Sequence, residues 1–176
     1  MRKLTCLLML LGFMCVSSVG ISEVKAHSTS DYEVAYRIYS PKTGQHRYMI
    51  DLTRMNQLVI DQGWHLEKGH LLFSKSAEDY LPAATVLTLF SPNNQDIVYT
   101  ANPVEVDVLL KANWQILLSS DVPLSALKPE KGVPVYRLYQ PALGRHHFTA
   151  IFAERNQLMQ AGWQAEGIAF YASAVR

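Results

Sequence analysis

The chain has 176 residues, 16 lysines and arginines against 15 aspartates and glutamates, and a formal charge of +1 with histidine neutral. So small a net charge excludes recognition by bulk attraction to nucleic acid, which needs clustered cations against phosphates, and equally excludes general attraction to anionic lipid. The length suffices for one ordinary hydrophobic core.

The chain opens with Arg2 and Lys3, followed by an apolar run from Leu7 to Val16. That run is shorter than the about 20 residues a spanning helix needs. With the small-x-small pattern Val24-Lys25-Ala26, it predicts a secretory signal over residues 1–26, cleaved after Ala26. Acylation at Cys15 is disfavoured by the bulky Phe13 and Met14 before it. Both cysteines, Cys6 and Cys15, fall inside the signal, so the mature chain is predicted to carry no disulfide. Cleavage leaves 13 basic and 14 acidic residues. Residues 27–33 read as a flexible polar lead-in.

Three segments then share one order of residues. Each opens on a strand pattern: Val34-Ala35-Tyr36-Arg37-Ile38-Tyr39-Ser40-Pro41, Thr85-Val86-Leu87-Thr88-Leu89-Phe90-Ser91-Pro92 and Pro134-Val135-Tyr136-Arg137-Leu138-Tyr139-Gln140-Pro141. Proline and glycine mark the following turn, as at Pro41 to Gly44 and Pro141 to Gly144. A second strand carries an aromatic seven residues after each proline: Tyr48, Tyr99 and Phe148. A short helix follows. In the middle segment Asn102 is its predicted N-cap and Pro103 its first residue, with Val106, Leu109 and Leu110 as an apolar stripe. In the third segment Phe152, Arg155, Leu158 and Met159 take that role. Gly63 and Gly162 are predicted stops. Trp64, Trp114 and Trp163 follow 23, 22 and 22 residues after the prolines and read as core residues opening a last strand. The stretch Ser119 to Val133 reads as a loop. No segment can bury its own apolar face, which predicts one domain over 34–176 with repeats at about 34–74, 84–118 and 134–173.

The third segment resembles a repeat of secreted proteins of unknown function. The resemblance rests on Val135-Tyr136-Arg137-Leu138-Tyr139, Gly144-Arg145-His146-His147-Phe148-Thr149, Ala153-Glu154-Arg155 and Ala161-Gly162-Trp163-Gln164-Ala165-Glu166-Gly167-Ile168-Ala169-Phe170-Tyr171. That family occurs in bacteria and some fungi, often in three copies and often beside cell-wall or polysaccharide hydrolases. The resemblance implies a mainly β fold with three short helices in a pseudo-threefold, β-trefoil-like, lectin-like architecture, and an attachment role. The middle segment departs from the pattern: it lacks the arginine, the histidine and the glycine before tryptophan.

Position-by-position comparison picks out the chemistry. Arg37 matches Arg137 where the middle segment has Thr88; His46 matches His146 against Ile97; Glu67 matches Glu166 against Leu117. Groups present together twice and absent together once are expected to touch one another, either as a structural cluster or as a ligand pocket. Planar donors, a carboxylate and an aromatic face suit a sugar. The candidate binding residues are therefore Arg37, Tyr39, His46, Glu67, Arg137, Tyr139, His146 and Glu166, with Phe90 a further platform candidate.

No Gly-x-Ser-x-Gly or His-Glu-x-x-His motif occurs, and Glu67 with Glu166 would sit in different segments, too far apart for a glycosidase pair. The pair His146-His147 lacks further ligands at metal spacing, and a copper site at a newly exposed His27 has no fixed first shell around it. No catalytic residue, metal or cofactor is expected. The sequence predicts a secreted, cell-wall-associated, non-catalytic module that binds a glycan or envelope polymer. The alternative is a secreted protein-binding factor using the Ser119 to Val133 region, and the third reading is a polysaccharide-active enzyme.

Overall fold

A computed structural model describes residues 31–117 and 124–176. The signal segment, Cys15, His27 and the Ser119 to Pro123 part of the expected loop lie outside these residues.

The long strand β1 (Tyr32–Ser40) pairs antiparallel with β2 (Gln45–Met49) on one side. Helix α1 (Leu52–Gln62) leads to β3 (His65–Leu66) and β4 (Leu71–Ser74), which both return to β1. The next strands are β5 (Tyr80–Phe90) and β6 (Ile97–Thr100), then α2 (Pro103–Lys111), β7 (Gln115–Ile116) and β8 (Leu124–Leu127), with β6, β7 and β8 all pairing to β5. Strands β9 (Val133–Gln140) and β10 (Arg145–Thr149), helix α3 (Phe152–Gln160) and β11 (Gln164–Ala172) follow, and β12 (Ala174–Val175) closes the chain against β4. The fold is mainly β with three helices. Among the described residues the sheets remain separate and antiparallel and close no barrel, so the trefoil expectation reduces here to that coarser description.

Registers agree from hairpin to hairpin. Arg37 faces Tyr48, Thr88 faces Tyr99 and Arg137 faces Phe148. Because side chains alternate along a strand, Ala35 and Arg37 share one face while Tyr36 and Ile38 share the other. The first face joins a core drawn from all three segments, with Ala35, Val86 and Val135 at its strands. Tyr48, Tyr99 and Phe148 meet inside it: the Tyr48 and Tyr99 rings are 6.0 Å apart, and those of Tyr99 and Phe148 5.0 Å. The Tyr99 hydroxyl accepts from the Tyr48 amide at 2.9 Å, and the Tyr48 hydroxyl donates to the Phe148 carbonyl at 3.3 Å. The second face of β1 packs Ile38 with Met49, Met55, Leu58 and Trp64 under α1. Each such buried side chain contributes about 2 kcal/mol of transfer free energy.

Local signals act as expected at several helix ends. Asn102 caps α2, accepting from the Val104 amide at 3.0 Å, with Pro103 at the first position. Gly63 ends α1 in the left-handed region at φ 71°.

Several expectations are corrected. Only Trp64 of the three tryptophans is buried; Trp114 and Trp163 are half-buried, because α2 and α3 bury no residue fully and leave their flanks open. The α3 stripe is only half covered: Phe152 and Met159 are exposed, Leu158 is half-buried, and Arg155 lies over the Tyr136 and Phe152 rings. Leu124–Leu127 is a strand, not loop, since Ala126 and Leu127 are buried in the core and outweigh the flanking prolines. Strands β1 and β5 start at Tyr32 and Tyr80, ahead of the expected boundaries, because the strands that return to them extend the ladder.

Candidate functional site

The Arg, His and Glu side chains singled out by the sequence do meet, in two separate clusters. In the first, Arg37 Nε lies 3.2 Å from Glu67 Oε2, and His46 Nε2 lies 3.2 Å from the same oxygen. In the third segment the distances are 3.0 Å from Arg137 Nε to Glu166 Oε2 and 3.2 Å from His146 Nε2 to Glu166 Oε2. The strand ladder sets this up. Arg37 and Tyr39 share the strand face that also carries Ala35, and Tyr39 faces His46 across the hairpin, as Tyr139 faces His146. A register shift between Ala165 and Gly167 takes Glu166 out of the ladder. The tyrosines lie over the histidines, with ring centroids 4.7 Å apart for Tyr39 and His46 and 4.9 Å for Tyr139 and His146. Both tyrosines are thus half-buried stacking partners and not a free platform.

Each arginine also reaches a carboxylate on the helix of another segment. Arg37 donates from both terminal nitrogens to Glu154 on α3, at 2.7 and 2.6 Å. Arg137 donates to Glu105 on α2 at 2.6 Å. Thr149 adds a hydrogen bond to Glu154 at 2.5 Å, and His147 Nε2 stands 3.4 Å from it. Asp96 of the middle segment holds His146, accepting from its amide at 2.9 Å and contacting Nδ1 at 2.6 Å. His46 has no such aspartate. It meets the edge of His147 at 4.5 Å, and His147 in turn meets Trp163 at 5.8 Å.

Environment shifts the first cluster strongly. Burial, then the neighbouring His147 and the positive Arg37, lower His46 to about 3. Burial alone would raise the Glu154 carboxyl, but hydrogen bonds from Arg37 and Thr149, with His147 close by, outweigh it and hold Glu154 well below the usual carboxylate range. Burial opposes the charge on Arg37 too, and Glu154 more than offsets it. The clusters therefore hold fixed ion pairs joining one segment to another.

The seam between the first and middle segments is built differently. The middle segment has uncharged Thr88, Ile97 and Leu117 at the trio positions, and a groove of about 700 Å³ opens between the first hairpin, the end of α1 and the middle hairpin. Phe90 and the largely buried Trp64 are its aromatic lining, and Gln45, Asp61, Gln62 and Gln95 line it with polar groups. Lys42 and Arg47 add positive charge.

Residues 34–173 match the family described as Domain of unknown function (DUF5648). The chain belongs to that family. No curated protein and no solved structure matches this DUF5648 chain.

Residue comparison within the DUF5648 domain found the trios but not their outer partners Glu105, Glu154 and Asp96. A signal for two of them was present. Glu105 and Glu154 each stand five residues after a threonine on the second strand, Thr100 and Thr149, where the first segment has Met49 and Arg54. The segment whose helix lacks that glutamate adjoins the segment whose strand lacks the arginine. The groove was not legible at all, since it arises from how two hairpins and a helix end pack.

Proposed function

We propose that this protein is a secreted, non-catalytic carbohydrate- or cell-envelope-binding module whose ligand site is the groove between the first and middle segments. The single observation that carries this reading is the groove itself. Two aromatic residues, Trp64 and Phe90, line it together with carboxamides, a carboxylate and cations. Sugars need this combination, since their hydroxyls require paired donors and acceptors and their ring C–H faces pack on aromatics. The volume of about 700 Å³ falls within the range of small-molecule sites, about 300–1,000 Å³. Arg37, His46, Glu67, Arg137, His146 and Glu166 then serve as clamps between segments. Their polar atoms are engaged with one another and with Glu105, Glu154 and Asp96.

We read the three segments as copies of one repeat in a β-trefoil-like arrangement. Support comes from bonds at the hairpin tips that run in a cycle. Gln45 donates to the Gln95 carbonyl, Asn94 to the Gly144 carbonyl and Arg145 to the Thr43 carbonyl. Export rests on the signal pattern of residues 1–26.

Sedimentation with insoluble cell walls, chitin and cellulose tests the reading. The protein is expected in the pellet with at least one polymer. An Asp61→Ala/Gln62→Ala variant, altered at two exposed positions, is expected to stay in the supernatant with an unchanged melting temperature. Wild-type protein left in the supernatant with every polymer would overturn it.

A second reading, a secreted protein-binding factor, has its own observation. Val104 and Val108, one turn apart on α2, are 69% and 59% exposed, and Phe152 on α3 is 59% exposed. Capture of a soluble protein that the Val104→Ser/Val108→Ser change abolishes would favour it.

A further inference from the structure

Three turns in this chain have the same shape, and one of them breaks a backbone rule. Gly44 and Gly144 sit at φ 72° and 61°, in the left-handed region that glycine enters freely. The middle hairpin has Gln95 at that position, at φ 59°. A side chain there clashes with its own backbone at a cost of about 1 kcal/mol. The turn bonds do not need it: the Gln95 amide donates to Ser91, as the Gly44 amide does to Ser40 and the Gly144 amide to Gln140. Gln45 bonds the Gln95 backbone carbonyl, which glycine would also supply. A strained residue whose side chain makes no hydrogen bond among the described residues points to another role for that side chain. Gln95 is the member of the set that lines the groove.

Its neighbours show what that role is. Gln45 and Gln62 bring two more carboxamides to the same groove, and Asp61 at the end of α1 adds a carboxylate. A carboxamide offers a donor and an acceptor in one plane, which is the complement of the C=O and N–H of another amide. Half-buried Phe90, beside the largely buried Trp64, offers apolar surface for a methyl group. Lys42 and Arg47 stand with Asp61, so both signs of charge are present. We propose that the groove selects a sugar bearing an acetamido group, and that Gln95 is a specificity residue for that group. This rests on the carbohydrate-binding reading and refines it.

The test compares fully N-acetylated chitotetraose with cellotetraose by isothermal calorimetry on the purified protein. The two share linkage and ring hydroxyls and differ at the acetamido position. Wild-type protein is expected to prefer chitotetraose by about tenfold, the worth of one or two net hydrogen bonds. Gln95→Gly is expected to reduce that preference several-fold while its melting temperature holds or rises, because glycine relieves the backbone. Loss of binding in this variant therefore cannot be a loss of fold. Equal affinity for both tetrasaccharides, no affinity for either while a polysaccharide still sediments the protein, or a Gln95→Gly protein with undiminished preference would each overturn the acetamido proposal and leave carbohydrate binding standing. A Gln95→Gly protein that melts lower would overturn its premise of strain. Failure to bind both tetrasaccharides and every polymer would overturn both readings.

Discussion

Arg37 and Arg137 occupy the same place in their hairpins and hold the same kind of glutamate at nearly the same distance, yet their surroundings differ. Arg37 is 4% exposed and grips Glu154 with two nitrogens, whereas Arg137 is 19% exposed and grips Glu105 with one. His46 leans on His147, whereas His146 is held by Asp96. The trio itself is alike in both; what differs comes from the segment on the other side of the seam. A local motif thus sets which groups meet, and a neighbour supplied from far along the chain sets how deeply they are buried.

The largest expected effect follows from that difference. Arg37→Ala leaves Glu154 and Glu67 facing a buried site without their cation, and removal of one partner of a buried pair costs about 3–5 kcal/mol. Arg137→Ala removes a more solvated pair, with an expected loss of about 1–3 kcal/mol, in the range of a charged hydrogen bond. Urea denaturation of both variants measures the gap. Equal losses would mean that depth of burial does not separate the clusters.

Acid should expose the same asymmetry with a smaller effect. His46 has a folded value of about 3 against 6.5 for the free side chain, so as pH falls below 6.5 the unfolded chain binds a proton that the folded chain refuses. Stability present above pH 6.5 is then lost toward pH 3, by at most about 1.4 kcal/mol per pH unit for one proton. His70 acts in the same direction. Burial and then Arg37 lower it, and its Nδ1 accepts from the Arg37 amide at 3.1 Å. Glu154, held below its usual value, contributes stability above about pH 4.5 that is lost as pH falls further. A His46→Gln variant should therefore show a flatter decline of melting temperature between pH 6 and pH 4 than the wild type. Parallel profiles would show that His46 takes its proton in the folded state.

The sequence carried the hairpins well because proline, glycine and alternation act within a few residues. It carried the trios because Arg37, His46 and Glu67 vary as a set with Arg137, His146 and Glu166. It carried the tryptophans poorly: Trp114 and Trp163 follow the same local signals as Trp64, but their burial depends on helices whose packing those signals do not fix. The strand Leu124–Leu127 was hidden by the prolines around it, since its reason to be extended is the distant edge of β5. Gln95 was visible as a residue where the other turns have glycine, but its meaning needed the φ angle and the groove.

The seam without a clamp supplies the smallest and most local prediction. Thr88 stands where the other long strands carry arginine; it is buried, and among the described residues its hydroxyl has no hydrogen-bond partner. The helix position that supplies Glu105 and Glu154 elsewhere is Arg54 in the first segment, on an exposed face of α1. An arginine at position 88 would have found no carboxylate from that helix, so the loss of one partner removes the reason to keep the other. What remains is a hydroxyl taken out of water with nothing gained. Replacing it with a methyl of the same shape should stabilise the fold: Thr88→Val is expected to gain about 1 kcal/mol in urea denaturation. A loss of that size instead would mean that the hydroxyl holds a bound water, and that the middle seam keeps a polar link of its own in place of the clamps at Arg37 and Arg137.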